Sequence, residues 1–455
     1  MTNPVKQADA PALSLQTARA VRWGTAMLAA ATLAAAFWLV TPALGPGHSL
    51  LRKSLIGVAI VLAALRFVRI GWAARGLAIA LALAASLGLA ELGLRLFWSR
   101  PLTTLIQPDD RWLYKLVPGA SRSYTHTPTN GGGSVLIEVN HAGFRGKDLP
   151  RDAKKRVVVY GDSYIEGEFS PLEATFPAQL EARLRGPHVI NAGVVGYGPD
   201  QVSARMADEL PGLGVDLAIV AIYSGNDFGD LLRNKMLRLD DAGHVVDNPW
   251  VMGKAMKGAF AESRSGLFLL KLLSKGASRK VVTPIVAPRM DKALEMAQSE
   301  YDEYIVRGDN QIRNLLFDPY NADVALKPDS PSAKYRVRLM EGAILRMKET
   351  AERSHVPLVL VIIPDPFDVC DVYDGYHFDP VEYPEYKRSR LTDLLEDIAT
   401  RADLQHVNLF EPFRRGDPTK LYFRGGNNHW NDAGQGLAAE VVGDYLLRKG
   451  LVKGP

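Results

Sequence analysis

Four short stretches of this chain carry side chains that could work together in acyl transfer. Gly161-Asp162-Ser163-Tyr164 follows the β-branched run Arg156–Tyr160 and offers a hydroxyl behind a residue that permits a sharp turn. Asn191-Ala192-Gly193-Val194-Val195-Gly196-Tyr197-Gly198 is a loop whose glycines let backbone N–H groups approach a ligand. Ser224-Gly225-Asn226-Asp227 supplies an amide side chain that can donate, and Gly426-Asn427-Asn428-His429-Trp430-Asn431 an imidazole just before the last helical pattern. A hydroxyl nucleophile, an imidazole base and donors for a developing oxyanion are what ester chemistry requires. Each stretch alone has a plain structural reading. Asp162 and Asp227 read as turn-stabilising acceptors, Trp430 as packing and Cys370, after an apolar run, as a buried core residue. His377 and Asp379 are too close in chain and too isolated for a metal site and read as a surface loop, so neither metal nor cofactor is expected.

Positioning these groups takes a sheet. Short β-branched runs occur at Arg156–Tyr160, Val189–Asn191, Leu217–Tyr223, Leu358–Ile363 and, more weakly, His406–Phe410. Helical patterns near Thr175–Leu184, Gln201–Glu209, Tyr335–Ser354, Tyr386–Ala402 and Ala433–Leu447 lie between and after them. Strands alternating with helices predict a parallel sheet covered on both faces, with ligands outside the carboxyl ends of the strands. The candidate residues fall at those ends. Residues 156–455 are therefore expected to form one α/β domain. From about 231 to 330 no clear strand appears, only amphipathic stretches including Leu267–Leu273 and Asp291–Val306, which predicts a helical insertion, either a lid or a packing appendage. Residues 101–155 form a connecting region with a Gly-rich turn at Asn130–Gly133 and a strand at Val135–Val139.

The first hundred residues differ in composition, being rich in Ala, Leu, Gly and Val. The runs Trp23–Leu44, Ser54–Leu65 (extended to Trp72) and Gly76–Ala90 predict three membrane spans, with two as the competing count. Lys6, Arg19, Arg22, Arg66, Arg69 and Arg75 favour an inner N-terminus and put the large domain outside the membrane. The net charge of +4 without a run of like charges excludes a nucleic-acid footprint, and a single cysteine excludes an internal disulfide.

The four blocks, in this order, resemble those of the SGNH/GDSL hydrolases, from about Asn140 to Leu447. The resemblance implies a flavodoxin-like three-layer fold with Ser163 as nucleophile, His429 as base, Asn226 as a side-chain oxyanion donor and Gly196, or Gly193 in a shifted register, as the backbone donor. The stretch Asn140–Gly146 looks like the membrane-anchored bacterial members, which implies a cell-membrane location with an extracytoplasmic catalytic domain. The chain departs from the family where an aspartate usually precedes the histidine: those positions are Asn427 and Gly426. Either Asn427 assists a Ser163–His429 dyad, or Asp365 or Asp432 supplies the acid, or turnover is impaired. The expected activity is that of a serine esterase or O-acyltransferase on acyl esters, with acetyl esters of a cell-surface polysaccharide as substrate. The alternatives are a catalytically impaired glycan-binding or assembly protein, and a lipid esterase.

Overall fold

A computed structural model describes residues 14–38, 46–97, 105–128, 131–150, 153, 155–248, 290–306, 320–371, 373, 381–424 and 427–452. The expected stretch Leu267–Leu273, the pair His377 and Asp379, and Gly426 lie outside the described residues. The chain divides into two units, Met1–Pro101 with Gly266–Arg279, and Leu102–Ser265 with Lys280–Pro455.

The first unit holds the helices Leu15–Trp38, Pro46–Ala64 and Ile70–Phe97. The three-span expectation finds no support here: among the described residues, no helix is long and apolar enough to cross a membrane. Charges shorten the apolar runs. Arg52 and Lys53 leave Pro46–Ala64 with Ser54–Ala64, roughly 16 Å of helix at 1.5 Å per residue, against about 30 Å of hydrocarbon. Arg75 and Glu91 limit the third run to Gly76–Ala90, roughly 22 Å. The first helix begins with Arg19 and Arg22 and is built largely on alanine, which carries little apolar surface, and the end of its run at residues 39–44 is outside the described residues.

The second unit opens with two hairpins, β1 (Ile106–Asp109) with β2 (Leu113–Leu116) and β3 (Ser121–Thr125) with β4 (Ser134–Glu138). The main sheet contains β5 (Arg156–Gly161), β6 (His188–Gly193) and β7 (Leu217–Tyr223). A short antiparallel ribbon follows, β8 (Leu237–Leu239) with β9 (Val245–Asp247), inside the segment expected to be helical. Two more strands, β10 (Leu358–Ile363) and β11 (Gln405–Asn408), complete the sheet in the order β11-β10-β7-β5-β6, all parallel. That is the flavodoxin-like order, and it places the topological switch between β5 and β7.

Alternation along the strands builds two cores. Val158, Tyr160, Val220, Ile222, Leu360 and Ile362 face the helices Pro199–Leu213, Pro331–Arg353 and Arg390–Arg401. Val157, Val159, Ile219, Val359, Val361 and Ile363 face Phe176–Leu184 and Asp432–Arg448. Every side chain of β7 and β10 is buried, as expected for inner strands of a sheet covered on both faces. Each such aliphatic side chain contributes roughly 1.5–3 kcal/mol of transfer free energy. The weak run His406–Phe410 ends as a strand at Asn408, because the Asn408 side chain accepts from the Phe410 N–H at 3.0 Å and turns the chain into the helix Phe410–Arg415.

Candidate active site

Ser163 leaves the end of β5 as the first residue of the short helix Ser163–Glu166, with Asp162 as its cap accepting from the Tyr164 N–H at 2.9 Å. The bend is tight: a Cβ on Gly161 would stand 2.4 Å from Ile165 Cγ1. β5 lies between β6 and β7, so the loop with Gly196 and the turn with Asn226 leave the neighbouring strands at the same edge. Gly196 takes a left-handed backbone, φ +74°. Its loop is held from two sides: Val195 N–H donates to the buried Glu166 carboxylate at 2.6 Å, and the Tyr114 hydroxyl donates to Val195 O at 3.0 Å. Gly193 does other work. Its N–H donates to the Asn191 side chain at 3.0 Å, and a Cβ there would collide with the backbone of Glu166 at 2.1 Å. The Gly193 N–H is thus already engaged within its own loop.

Asn226 caps the helix Asp227–Asn234 just beyond β7. Its loop is fixed by the Asp227 carboxylate accepting from Tyr223 N–H at 2.8 Å, and by Asn321, whose N–H donates to Gly225 O at 2.8 Å. Gly225 has no room for a side chain, because a Cβ would lie 2.4 Å from both Asp365 Oδ2 and Tyr223 Cζ.

From the far end of the chain, His429 reaches Ser163: Nε2 lies 2.7 Å from Oγ. Its Nδ1 lies 2.8 Å from Asn427 Oδ1, which also accepts the His429 backbone N–H at 3.0 Å. The backbone N–H can only donate, so an oxygen stands there. Nδ1 must then carry the ring proton, and Nε2 turns its lone pair to the Ser163 hydroxyl. The ring stacks on Tyr164, with centroids 4.9 Å apart, and meets Phe169 at the same distance. This apolar cover removes water from the imidazolium form and pushes the imidazole pKa down to about 4. At neutral pH the base is neutral.

Neither alternative acid reaches the histidine. Asp365 accepts from the Tyr223 hydroxyl and from Phe367 N–H at 2.7 Å, and Asp432 accepts from the Ser170 hydroxyl at 2.5 Å. Asn427 occupies that place, with no negative charge. The loop carrying it is pinned by three tyrosines. Tyr373 donates to Asn427 O, Tyr164 donates to Asn428 O at 2.5 Å, and Tyr223 accepts from Asn428 Nδ2 at 2.9 Å. Cys370 is buried and its thiol is pushed up to about 12 by burial, far from thiolate chemistry. Trp430 is buried and donates to Tyr164 O at 3.1 Å, a packing role. Among the described residues, no cluster of His, Cys, Asp and Glu could hold a metal ion.

Sequence reasoning passed over several contributors. Arg145, in the Asn140–Gly146 turn, is buried and donates to the carbonyls of Glu166, Gly167 and Ser170 (the last at 2.7 Å), bracing the chain just after Ser163. Asn140 builds that turn, accepting from Ala142 N–H and Phe144 N–H at 3.0 Å each. A charged residue inside a tight turn ahead of β5 was the available signal for Arg145. Tyr164 and Phe169 gave none, since aromatic residues near a turn are usually core.

The arrangement can deprotonate a hydroxyl at a sheet edge flanked by two donor-bearing loops. No protein-family model matches the sequence, and no curated protein matches it. Solved structures similar to it include a lipase/acylhydrolase from Enterococcus faecalis (11% identity, 66% of this chain and 98% of that one, TM-score 0.33). A GDSL-like lipase from Bacteroides thetaiotaomicron is another (13% identity, 66% and 92%, TM-score 0.32). A third is a variant of an acetyl-xylooligosaccharide esterase from Geobacillus (12% identity, 65% and 94%, TM-score 0.32). Many of the solved structures similar to this chain are GDSL or SGNH hydrolases, the family its four sequence blocks resemble.

Proposed function

We propose that the protein is a serine esterase or O-acyltransferase that moves short acyl groups, acetyl above all, to or from a polysaccharide hydroxyl. The observation that carries this reading is the 2.7 Å contact between Ser163 Oγ and His429 Nε2, with Nδ1 held by Asn427. In the reaction, His429 Nε2 takes the hydroxyl proton as Oγ attacks the ester carbon. The C=O bond opens to an oxyanion, which the Gly196 N–H and the Asn226 amide are assigned to hold. The intermediate collapses as the C–O bond to the alcohol breaks and Nε2–H returns its proton to the departing oxygen, leaving acyl-Ser163. Water or a sugar hydroxyl then gives its proton to Nε2 and attacks the acyl carbon; as the carbon–Oγ bond breaks, Nε2–H returns the proton to Ser163 Oγ and the serine is restored.

Replacing Ser163 by Ala in the full chain tests this on 4-nitrophenyl acetate. Turnover is expected to fall at least about 10³-fold, and unchanged turnover ends the reading. A second reading, a binding protein that keeps the pocket without turnover, is favoured by the uncharged Asn427, which leaves the imidazolium without a counter-charge. A fluorophosphonate probe separates the two: labelling lost in Ser163→Ala supports the enzyme, and no labelling of the folded wild type supports the binder.

A further inference from the structure

A groove of about 670 Å³ opens beside the dyad, between the tip of the β3–β4 hairpin and the turn that leads into His429. Phe169 forms its near wall. That ring lies against the His429 imidazole at 4.9 Å and against Phe423 at 5.6 Å, and Phe423 N–H donates to His429 O at 2.9 Å. Opposite stands the hairpin tip, closed by His126 N–H to Gly133 O at 2.8 Å and Gly132 N–H to Thr127 O at 2.9 Å. Gly131 and Gly132 both take positive φ, +92° and +68°, and a Cβ on Gly131 would be 3.4 Å from Phe423 Cε1. The tip is thus built close over that ring. The His126 ring meets Phe169 at 5.0 Å, and its Nε2 is shielded from solvent without a hydrogen-bond partner. Ser134, Arg424, Asn431 and Asp432 are among the other polar residues of the lining.

The direction of acyl transfer says which part of an ester belongs here. The carbonyl oxygen must turn toward the loops after β6 and β7, where Gly196 and Asn226 sit. The alcohol oxygen must instead reach His429 Nε2, which returns its proton on departure and removes it on attack. The alcohol therefore extends on the imidazole side, where the groove lies. We propose that this groove is the alcohol-side subsite and that the alcohol is a sugar of a short glycan segment. The assignment rests on the acyl-transfer reading of the dyad. Phe169 and Phe423 offer aromatic faces for the C–H side of a pyranose, while Arg424, Asp432 and His126 offer donors and acceptors for hydroxyls. The volume falls in the range, roughly 300–1,000 Å³, of pockets that hold ligands larger than a single acyl group.

Two measurements on the full chain test it. First, tetrasaccharides of xylose, glucose, N-acetylglucosamine and mannuronate are titrated calorimetrically into the Ser163→Ala protein. At least one is expected to bind, with affinity falling at least fivefold when His126→Ala or Arg424→Ala is added. Second, kcat/KM is compared between the acetylated form of that sugar and 4-nitrophenyl acetate. Either groove variant is expected to lower the sugar-over-aryl preference at least tenfold, mainly through KM. No heat from any sugar, an unchanged preference, or a preference for long-chain alkyl esters would overturn the assignment. The outcomes stay separable from the parent reading. Turnover that survives Ser163→Ala removes the serine chemistry, whereas Ser163-dependent turnover without sugar binding removes only the groove. Arg424, exposed at the rim, serves as the second variant should His126→Ala disturb the hairpin.

Discussion

Restoring a carboxylate beside the histidine gives the sharpest test of the dyad. Asn427 Oδ1 sits 2.8 Å from His429 Nδ1, so Asn427→Asp places a negative charge against the imidazole with almost no change of shape. The attraction across about 4 Å at an effective dielectric near 20 is about 4 kcal/mol. Burying the new carboxylate takes part of that back. Its second oxygen would fall where Asn427 Nδ2 is now enclosed without a partner. An opposite charge at this range raises a histidine pKa by roughly 1–3 units. The imidazole would move from about 4 to roughly 5–7. The same energy stabilises the imidazolium that forms as Ser163 attacks, so kcat should rise roughly 10- to 10³-fold, one decade per pKa unit. The assay is kcat/KM on 4-nitrophenyl acetate from pH 3.5 to 8. The acid limb of the wild type is expected near pH 4, because only the neutral imidazole accepts a proton, and the limb of the variant one unit or more higher. A limb that stays in place, or a folded variant with no gain in kcat, would refute the reasoning.

Three further outcomes follow from the same geometry. Asn226→Ala should lower kcat about 10²–10³-fold with a small change in KM, the usual cost of one oxyanion donor, as read from steady-state kinetics. The depressed pKa of His429 ties stability to pH: the fold holds the ring neutral while the unfolded chain protonates near 6.5, so this contribution is complete above about 6.5 and is lost as pH falls toward 4, by up to roughly 3 kcal/mol. Urea midpoints at pH 8, 6 and 5 would record it, and His429→Asn should flatten the slope. Arg145→Met would strip the guanidinium bonds from three buried carbonyls behind Ser163, leaving Gly167 O with only the Ser170 N–H, and is expected to cost roughly 3–5 kcal/mol in chemical denaturation and to lower kcat.

The sheet was legible because inner parallel strands leave long apolar signals. Leu217–Tyr223 and Leu358–Ile363 are buried on both faces and read to the residue, while edge strand β11, half exposed, was misjudged by two positions. The two hairpins ahead of the sheet were half seen. β4 carries the apolar run Val135–Ile137, whereas β3 (Ser121–Thr125) carries four polar residues among its five and offers no pattern. The ribbon β8–β9 was missed for a similar reason, since three-residue strands are too short for a period to show. For the membrane spans, apolar composition was visible, but span length turns on where single charges interrupt a helix, and Arg52, Lys53, Arg75 and Glu91 interrupt it early.

At the site, motifs located side chains on strand ends, and the sheet order then did the rest. Because β5 lies between β6 and β7, any residue just past each of these strands arrives at a common edge, which is why Ser163, Gly196 and Asn226 could be grouped from strand positions alone. His429 obeys no such rule. It comes from a loop after the last strand, and what carries it to Ser163 is the tyrosine set of Tyr164, Tyr223 and Tyr373, spread over more than two hundred residues and marked by no spacing. The same set explains how a neutral Asn427 can serve as acceptor. A carboxylate orients an imidazole partly by charge, whereas an amide acts only at hydrogen-bond range and must be held in place. Three hydroxyls on the backbone and side chain of Asn427 and Asn428 hold it there.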